Sequence, residues 1–186
     1  MIDPTRLPAD LPRPVDDGAA DHLTGTAIPS VALDATDGST VDLSAVPGYA
    51  VVFVYPRTGR PGEPSLVEDW DQIPGARGCT PHTCGFRDLS AEFAALGARV
   101  YGLSTQESAY QREMVERLEV PFPVLSDAKL ELADALRLPT FTVAGQRLEK
   151  RLAWIQRDGV IRRVFYPVFP PDRNASEVLD ALRSFF

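Results

Sequence analysis

Residues 50–55 read AVVFVY, a run with no charged or strongly polar position. A strand with one wet face alternates apolar and polar residues; an uninterrupted apolar run has no wet face and belongs in a sheet covered on both sides. That requirement predicts a layered protein, with a central strand here and helices above and below it. The rest of the chain supplies the pieces. ARVYGLS, residues 98–104, reads as a second central strand, and Asp37-Gly38 marks a turn in an alternating stretch that begins at Ile28. Phe86, Leu89, Phe93 and Leu96 fall at helical spacing and Gly97 stops that helix; Tyr110, Met114 and Leu118 mark another, and Leu130, Ala133 and Leu136 a third. Leu152 to Gln156 and Val160 to Phe165 flank Asp158-Gly159 as a hairpin, and Val178, Leu179, Leu182 and Phe185 predict a closing helix. Strands alternating with helices, followed by a hairpin and a helix, define an α/β fold with a mixed central sheet.

The net charge of −7 argues against phosphate backbones or anionic lipid as partners, so no nucleic acid and no membrane are expected. No apolar run approaches the roughly 20 residues a membrane helix needs. The first 23 residues carry acids and prolines where a signal peptide would be apolar, and a cytoplasmic location is expected. Residues 1–26 contain Pro4, Pro8, Pro12 and Pro14 without periodicity and read as an arm, extended or partly disordered, in which no chemistry is expected. Residues 27–186 form the domain. Residues 57–78, rich in proline, glycine and acids, make a connection longer than usual within it.

The two cysteines, Cys79 and Cys84, stand at the end of that connection in GCTPHTCGFRDL. Threonine is a favoured helix cap and proline a favoured first helical residue, so Thr80-Pro81 predicts a helix start with Cys79 at its mouth. The backbone N–H groups and the positive end of the helix favour a negative sulfur there, with Arg77 and Arg87 as further sources of positive charge. Cys84 lies five residues on, which in a helix is a rotation of about 140° and a rise of about 7.5 Å. Bridged cysteines need Cα atoms within about 7 Å, so this pair joins only if the first turns of the helix unwind. Cys79, His82 and Cys84 fall short of the four ligands of a structural zinc site, with His22 the other histidine in the chain, and no metal or cofactor is expected.

From Ile28 to the C-terminus the chain resembles a peroxiredoxin of the bacterioferritin-comigratory or Q type. VVFVYP resembles that family's strand ending in proline, GCTPHTCGFRDL its active-site helix, and VYGLSTQ followed by VPFPVLSD its third segment. The resemblance implies a thioredoxin-like fold and reduction of hydrogen peroxide and organic hydroperoxides, with recharging by a thioredoxin-like or glutaredoxin-like dithiol. It makes Cys79 the peroxidatic cysteine, Cys84 the resolving one, and Pro56 the proline that shields the site. Gly78 and Thr80 flank the sulfur as binding positions. An arginine on a later strand is implied to hold the thiolate and polarise the peroxide. Arg151 is chosen for its planar fork, although a gapless alignment from Gly159 puts Lys150 in that place. The two point to opposite faces, so one of them at most meets Cys79.

Three departures and openings remain. The family carries threonine or serine three residues before the cysteine, and this chain has Ala76, so Thr58 or Ser65 would have to fold back to supply a hydroxyl. LPTF, residues 138–141, resembles a stretch of thioredoxins and keeps a thiol–disulfide oxidoreductase open, against the Cys-x-x-Cys spacing such enzymes use. A redox-responsive binding module without turnover is the third reading. Monomer and homodimer are both compatible with the sequence.

Overall fold

A mixed seven-stranded sheet divides the protein into two apolar layers. The computed structural model describes residues 7, 8 and 10–186; the expectation of disorder in the arm falls partly on residues 1–6 and 9, outside that range. In chain order the elements are β1 (Ala32–Ala35), β2 (Thr40–Asp42), β3 (Tyr49–Val54), α1 (Cys79–Asp88), α2 (Ser90–Ala95), β4 (Arg99–Ser104), α3 (Ser108–Arg117), β5 (Val124–Ser126), α4 (Glu131–Leu136), β6 (Thr140–Val143), β7 (Gln146–Glu149), β8 (Leu152–Arg157), β9 (Val160–Phe165) and α5 (Asn174–Arg183). The large sheet has the order β2-β1-β5-β4-β3-β8-β9. β3 runs parallel to β4 and β4 to β5, while β8 lies antiparallel to β3 and β9. This is the thioredoxin-like arrangement of a mixed sheet flanked by helices.

The apolar run behaves as its composition requires. Because successive strand residues face opposite sides, Ala50, Val52 and Val54 enter one layer, and Val51, Phe53 and Tyr55 the other. β8 divides in the same way: Leu152 and Trp154 join the first layer, Ala153 and Ile155 the second. α4 covers the first layer with Leu132, Ala133 and Leu136, helped by Ala20 and Leu23 from the N-terminal segment. The second layer is covered by α1, α2, α3 and α5, through Phe86, Phe93, Met114, Val178 and Leu182 among others.

The periodic stretch from Phe86 to Leu96 forms two helices rather than one. Leu89, at φ −103° and ψ 11°, separates α1 from α2. The bend brings Phe86 and Phe93 into one stack, with ring centroids 5.8 Å apart. The hairpin at Asp158-Gly159 forms with both residues at positive φ, the pairing that a two-residue turn of this hand needs. A second hairpin, β6–β7, turns on Ala144-Gly145, also at positive φ, and makes a separate two-stranded sheet. Alanine in the first turn position carries no turn signal, which hid this hairpin from the sequence.

The β6–β7 hairpin is the seat for the long connection. Trp70 stands in a short 3-10 turn (Trp70–Gln72), and its ring lies 6.4 Å from that of Phe141. Leu66, Val67, Ile73 and Ala76 gather with it against Leu148 and Val143 in a third apolar cluster. The part of the connection from Leu66 to Ala76 is thereby held against that hairpin.

Candidate active site

α1 starts one residue before Thr80. Gly78 occupies the cap at φ 103° and ψ 19°, Cys79 is the first helical residue, and Thr80 and Pro81 follow inside the first turn. The expectation of Thr80 as the cap is therefore corrected. The reason is tertiary: a Cβ at position 78 would stand 2.5 Å from Pro171 Cγ and 3.0 Å from Leu7 Cδ2, and only glycine takes this left-handed conformation without strain. Pro81 loses nothing there, since the first helical N–H groups have no partner within the helix. Cys79 keeps its place at the helix mouth, with its side chain buried at 4% exposure.

Arg151 is the centre of the polar network. It sits in the bend between β7 and β8, with the side chain turned inward and 3% exposed. Its Nη2 donates toward Cys79 Sγ at 3.2 Å and toward the carbonyl oxygens of Gly75 (3.3 Å), Ala76 (3.2 Å) and Arg77 (3.1 Å). The Cys79 thiol has Ala76 O as an acceptor at 3.5 Å. Lys150 points the other way, to Asp17 Oδ2 at 2.6 Å. Of the two cations weighed from the sequence, the structure brings Arg151 to Cys79.

His82 completes the arginine's setting, and sequence reasoning weighed it only as a metal ligand. Arg151 Nη1 lies 3.0 Å from His82 Nδ1, and His82 Nε2 lies 2.8 Å from Asn174 Oδ1 on α5. A guanidinium has no acceptor, so Nδ1 must accept and the ring proton must sit on Nε2, which donates to Asn174. Burial and the positive charge of Arg151 hold the imidazole well below its usual pKa, in the neutral form this chain of bonds needs. The available sequence signal was the spacing: three residues after Cys79 places His82 on the same helix face. Asn174, 92 residues further on, gave none.

The remaining expected residues sort clearly. Pro56 is buried two residues past the end of β3. Arg87 does not serve Cys79; it bonds Asp88 and the carbonyl of Leu118 and lies beside Cys84. Burial pushes the half-buried Cys84 thiol up, with the charge of Arg87 partly opposing. Neither Thr58 nor Ser65 restores the hydroxyl absent at Ala76. Thr58 is locked to Gln106, whose Oε1 accepts from its N–H (2.9 Å) and its hydroxyl (3.1 Å), and Ser65 is exposed. The Tyr55 hydroxyl is buried near Ser104, Gln111 and Cys79, and burial raises its pKa far above the usual phenol value.

Glu149 is a further buried group that the sequence did not mark. It has 0% exposure and both carboxyl oxygens lack a hydrogen-bond partner. Burial, then the charge of Asp127, raises its pKa well above the usual range, which keeps it a neutral acid. An unfolded glutamate loses its proton near pH 4.3, whereas the folded one retains it, so above that pH the folded state binds more protons and stability falls as pH rises, by up to about 1.4 kcal/mol per pH unit. Glu149→Gln is expected to remove this slope. In denaturant unfolding between pH 4.5 and 8, the variant should gain on the wild type progressively with pH; a difference independent of pH would show that the carboxyl ionises equally in both states.

Residues 23–182 match the Redoxin family, and the chain belongs to it. Within that family it is a peroxiredoxin of the bacterioferritin-comigratory or Q type. It is 29% identical over 161 residues to the chloroplastic peroxiredoxin Q of Oryza sativa subsp. japonica, a match covering 86% of this chain and 66% of the rice protein, slightly under two thirds of its length. It is 31% identical over 140 residues to peroxiredoxin bcp1 of Schizosaccharomyces pombe, covering 73% of this chain and 63% of that one. The crystal structure of peroxidoxin BcpB from Mycobacterium tuberculosis superposes with a TM-score of 0.71 at 27% identity, covering 88% of this chain and 97% of that chain. Among the described residues, no helix is long and apolar enough to cross a membrane.

Proposed function

We propose that this protein is a thiol-dependent peroxidase in which Cys79 reduces hydrogen peroxide and organic hydroperoxides and Cys84 closes an intramolecular disulfide. The observation that carries the reading is the guanidinium of Arg151 at 3.2 Å from Cys79 Sγ, buried and braced by three carbonyls and His82. A charged, rigid donor set beside a nucleophilic sulfur is arranged for the charge that appears as an O–O bond breaks. The Cys79 thiolate attacks the distal peroxide oxygen. An S–O bond forms, the O–O bond breaks, and the departing oxygen takes up a proton to leave as water or alcohol. Cys79 is then a sulfenic acid, and Cys84 attacks its sulfur with loss of water.

A thioredoxin-like or glutaredoxin-like dithiol reduces the disulfide by exchange, in a reducing compartment such as the cytoplasm. Neither metal nor organic cofactor enters the cycle. The test is one equivalent of hydrogen peroxide added to the reduced protein, followed by intact mass and peptide mapping, then excess peroxide with a dithiol reductant. Loss of two hydrogens, a Cys79–Cys84 link and consumption of many equivalents are expected. Thiols that survive excess peroxide for hours would end the proposal, and a disulfide that forms once without turnover would leave a redox-responsive module.

A further inference from the structure

The N-terminal arm, in which the sequence predicted no chemistry, lies across the way to Arg151. Its inner end is fixed: Ala20 and Leu23 are buried in the first apolar layer, and His22 Nε2 meets Leu136 O at 2.9 Å. Outward from that anchor, the Asp17 carboxylate takes Lys150 Nζ at 2.6 Å and the Tyr166 hydroxyl at 2.7 Å. Pro14 then packs on Gly75, 3.7 Å from where a Cβ would stand, and Arg13 covers the Phe169 ring at 4.9 Å. Leu7 reaches Gly78 at the start of α1. The arm thus follows the segment Gly75–Gly78, the same segment whose carbonyls hold Arg151.

Two clefts remain beside this strap and both have Arg151 in their lining. One, of about 100 Å³, is walled by Pro14, Val15, Phe141 and Val168. The other, of about 10 Å³ between Leu11, Pro12, Ile73 and Phe169, has room for about one water. By the same measure, at about 10–15 Å³ per water, the larger cleft has room for several waters or a short alkyl group. Its walls mix these apolar side chains with Lys150 and Tyr166, and Val15, 81% exposed, stands at its rim.

We propose that arm residues 11–17 form the outer wall of the peroxide entrance and set its specificity, admitting hydrogen peroxide and short-chain alkyl hydroperoxides and hindering bulky ones. The inference rests on the peroxidase reading. The Asp17 latch is the part that can yield, because the side chains of Asp17 and Lys150 are 44% and 34% exposed, and an ion pair so placed is weakened by salt.

The test measures oxidation of Cys79 by hydrogen peroxide, tert-butyl hydroperoxide and cumene hydroperoxide in wild type and Asp17→Ala. The ratio of the cumene to the hydrogen peroxide rate constant is expected to rise about tenfold in Asp17→Ala. In the wild type it should also rise with added sodium chloride, a readout that needs no substitution. Equal changes for all three peroxides, or none, would overturn the proposal. Alkylation of Cys79 in a Cys84→Ser background, with iodoacetamide against N-phenylmaleimide, separates this from the fate of the peroxidase reading. If no peroxide reacts, that reading fails, whereas an alkylation selectivity that does not shift toward the bulkier reagent in Asp17→Ala refutes the wall itself.

Discussion

Arg151→Met is expected to slow oxidation of Cys79 by hydrogen peroxide by about 10²–10³-fold, the usual effect of removing one preorganised donor to developing charge. Methionine keeps the unbranched stem and removes the charged fork. The loss is large because Arg151 does two things at once. Its Nη2 faces Sγ, where the attacking and departing charges develop, and the same nitrogen gathers the carbonyls of Gly75, Ala76 and Arg77, which shape the wall of the sulfur's pocket. Lysine would not replace it, since a point charge on a flexible stem cannot meet sulfur, three carbonyls and an imidazole together. Arg151→Lys should recover less than a tenth of the wild-type rate. Stopped-flow oxidation of the reduced variants measures this, with circular dichroism to establish that α1 is intact. A loss within about threefold in a folded Arg151→Met protein would move the role to another group, Tyr55 being the nearest alternative.

The second large effect separates the two cysteines. Cys84→Ser should react with the first equivalent of peroxide at close to the wild-type rate and then stop, holding Cys79 as a sulfenic acid that a dimedone probe captures. Turnover with a dithiol protein should be lost. Both cysteines lie on α1, Cys79 in its first turn and Cys84 five residues later, so a separation of about 7.5 Å along the axis must collapse before sulfur meets sulfur. Burial keeps the Cys84 thiol protonated while the helix is folded, and unwinding exposes it to water and brings its pKa back toward the ordinary value. Opening therefore removes the distance barrier and lowers the protonation barrier to the second step. Oxidised wild type should lose far-ultraviolet helix signal that oxidised Cys84→Ser keeps. A disulfide formed without change in helix content would refute the unwinding step.

Several features of the protein are properties of short stretches of chain. The short, valine-rich apolar run at 50–55 favours a strand covered on both faces, and the alternation of its side chains assigns Val52 and Phe53 to opposite layers wherever the strand sits. Asp158-Gly159 closes a hairpin because its two residues tolerate positive φ. The spacing of Cys79 and Cys84 on a helix dictates that they cannot be bridged while it stays folded. Each of these follows from periodicity, backbone preference or covalent reach within about ten residues.

Residues distant in sequence decided the rest. Gly78, and not Thr80, caps α1 because Pro171 comes too close for a side chain there. Arg151 rather than Lys150 faces the sulfur because the bend between β7 and β8 turns it inward, while Asp17, 133 residues before Lys150, draws Lys150 out. His82 is a brace for the arginine because Asn174 fixes its proton from a different helix. Thr58 cannot supply the missing hydroxyl because Gln106 already holds it. A residue's local sequence determines which conformations it can adopt and which bonds it can make. Which of those bonds it makes depends on the partners that packing brings within about 3 Å, and for these residues those partners come from distant parts of the chain.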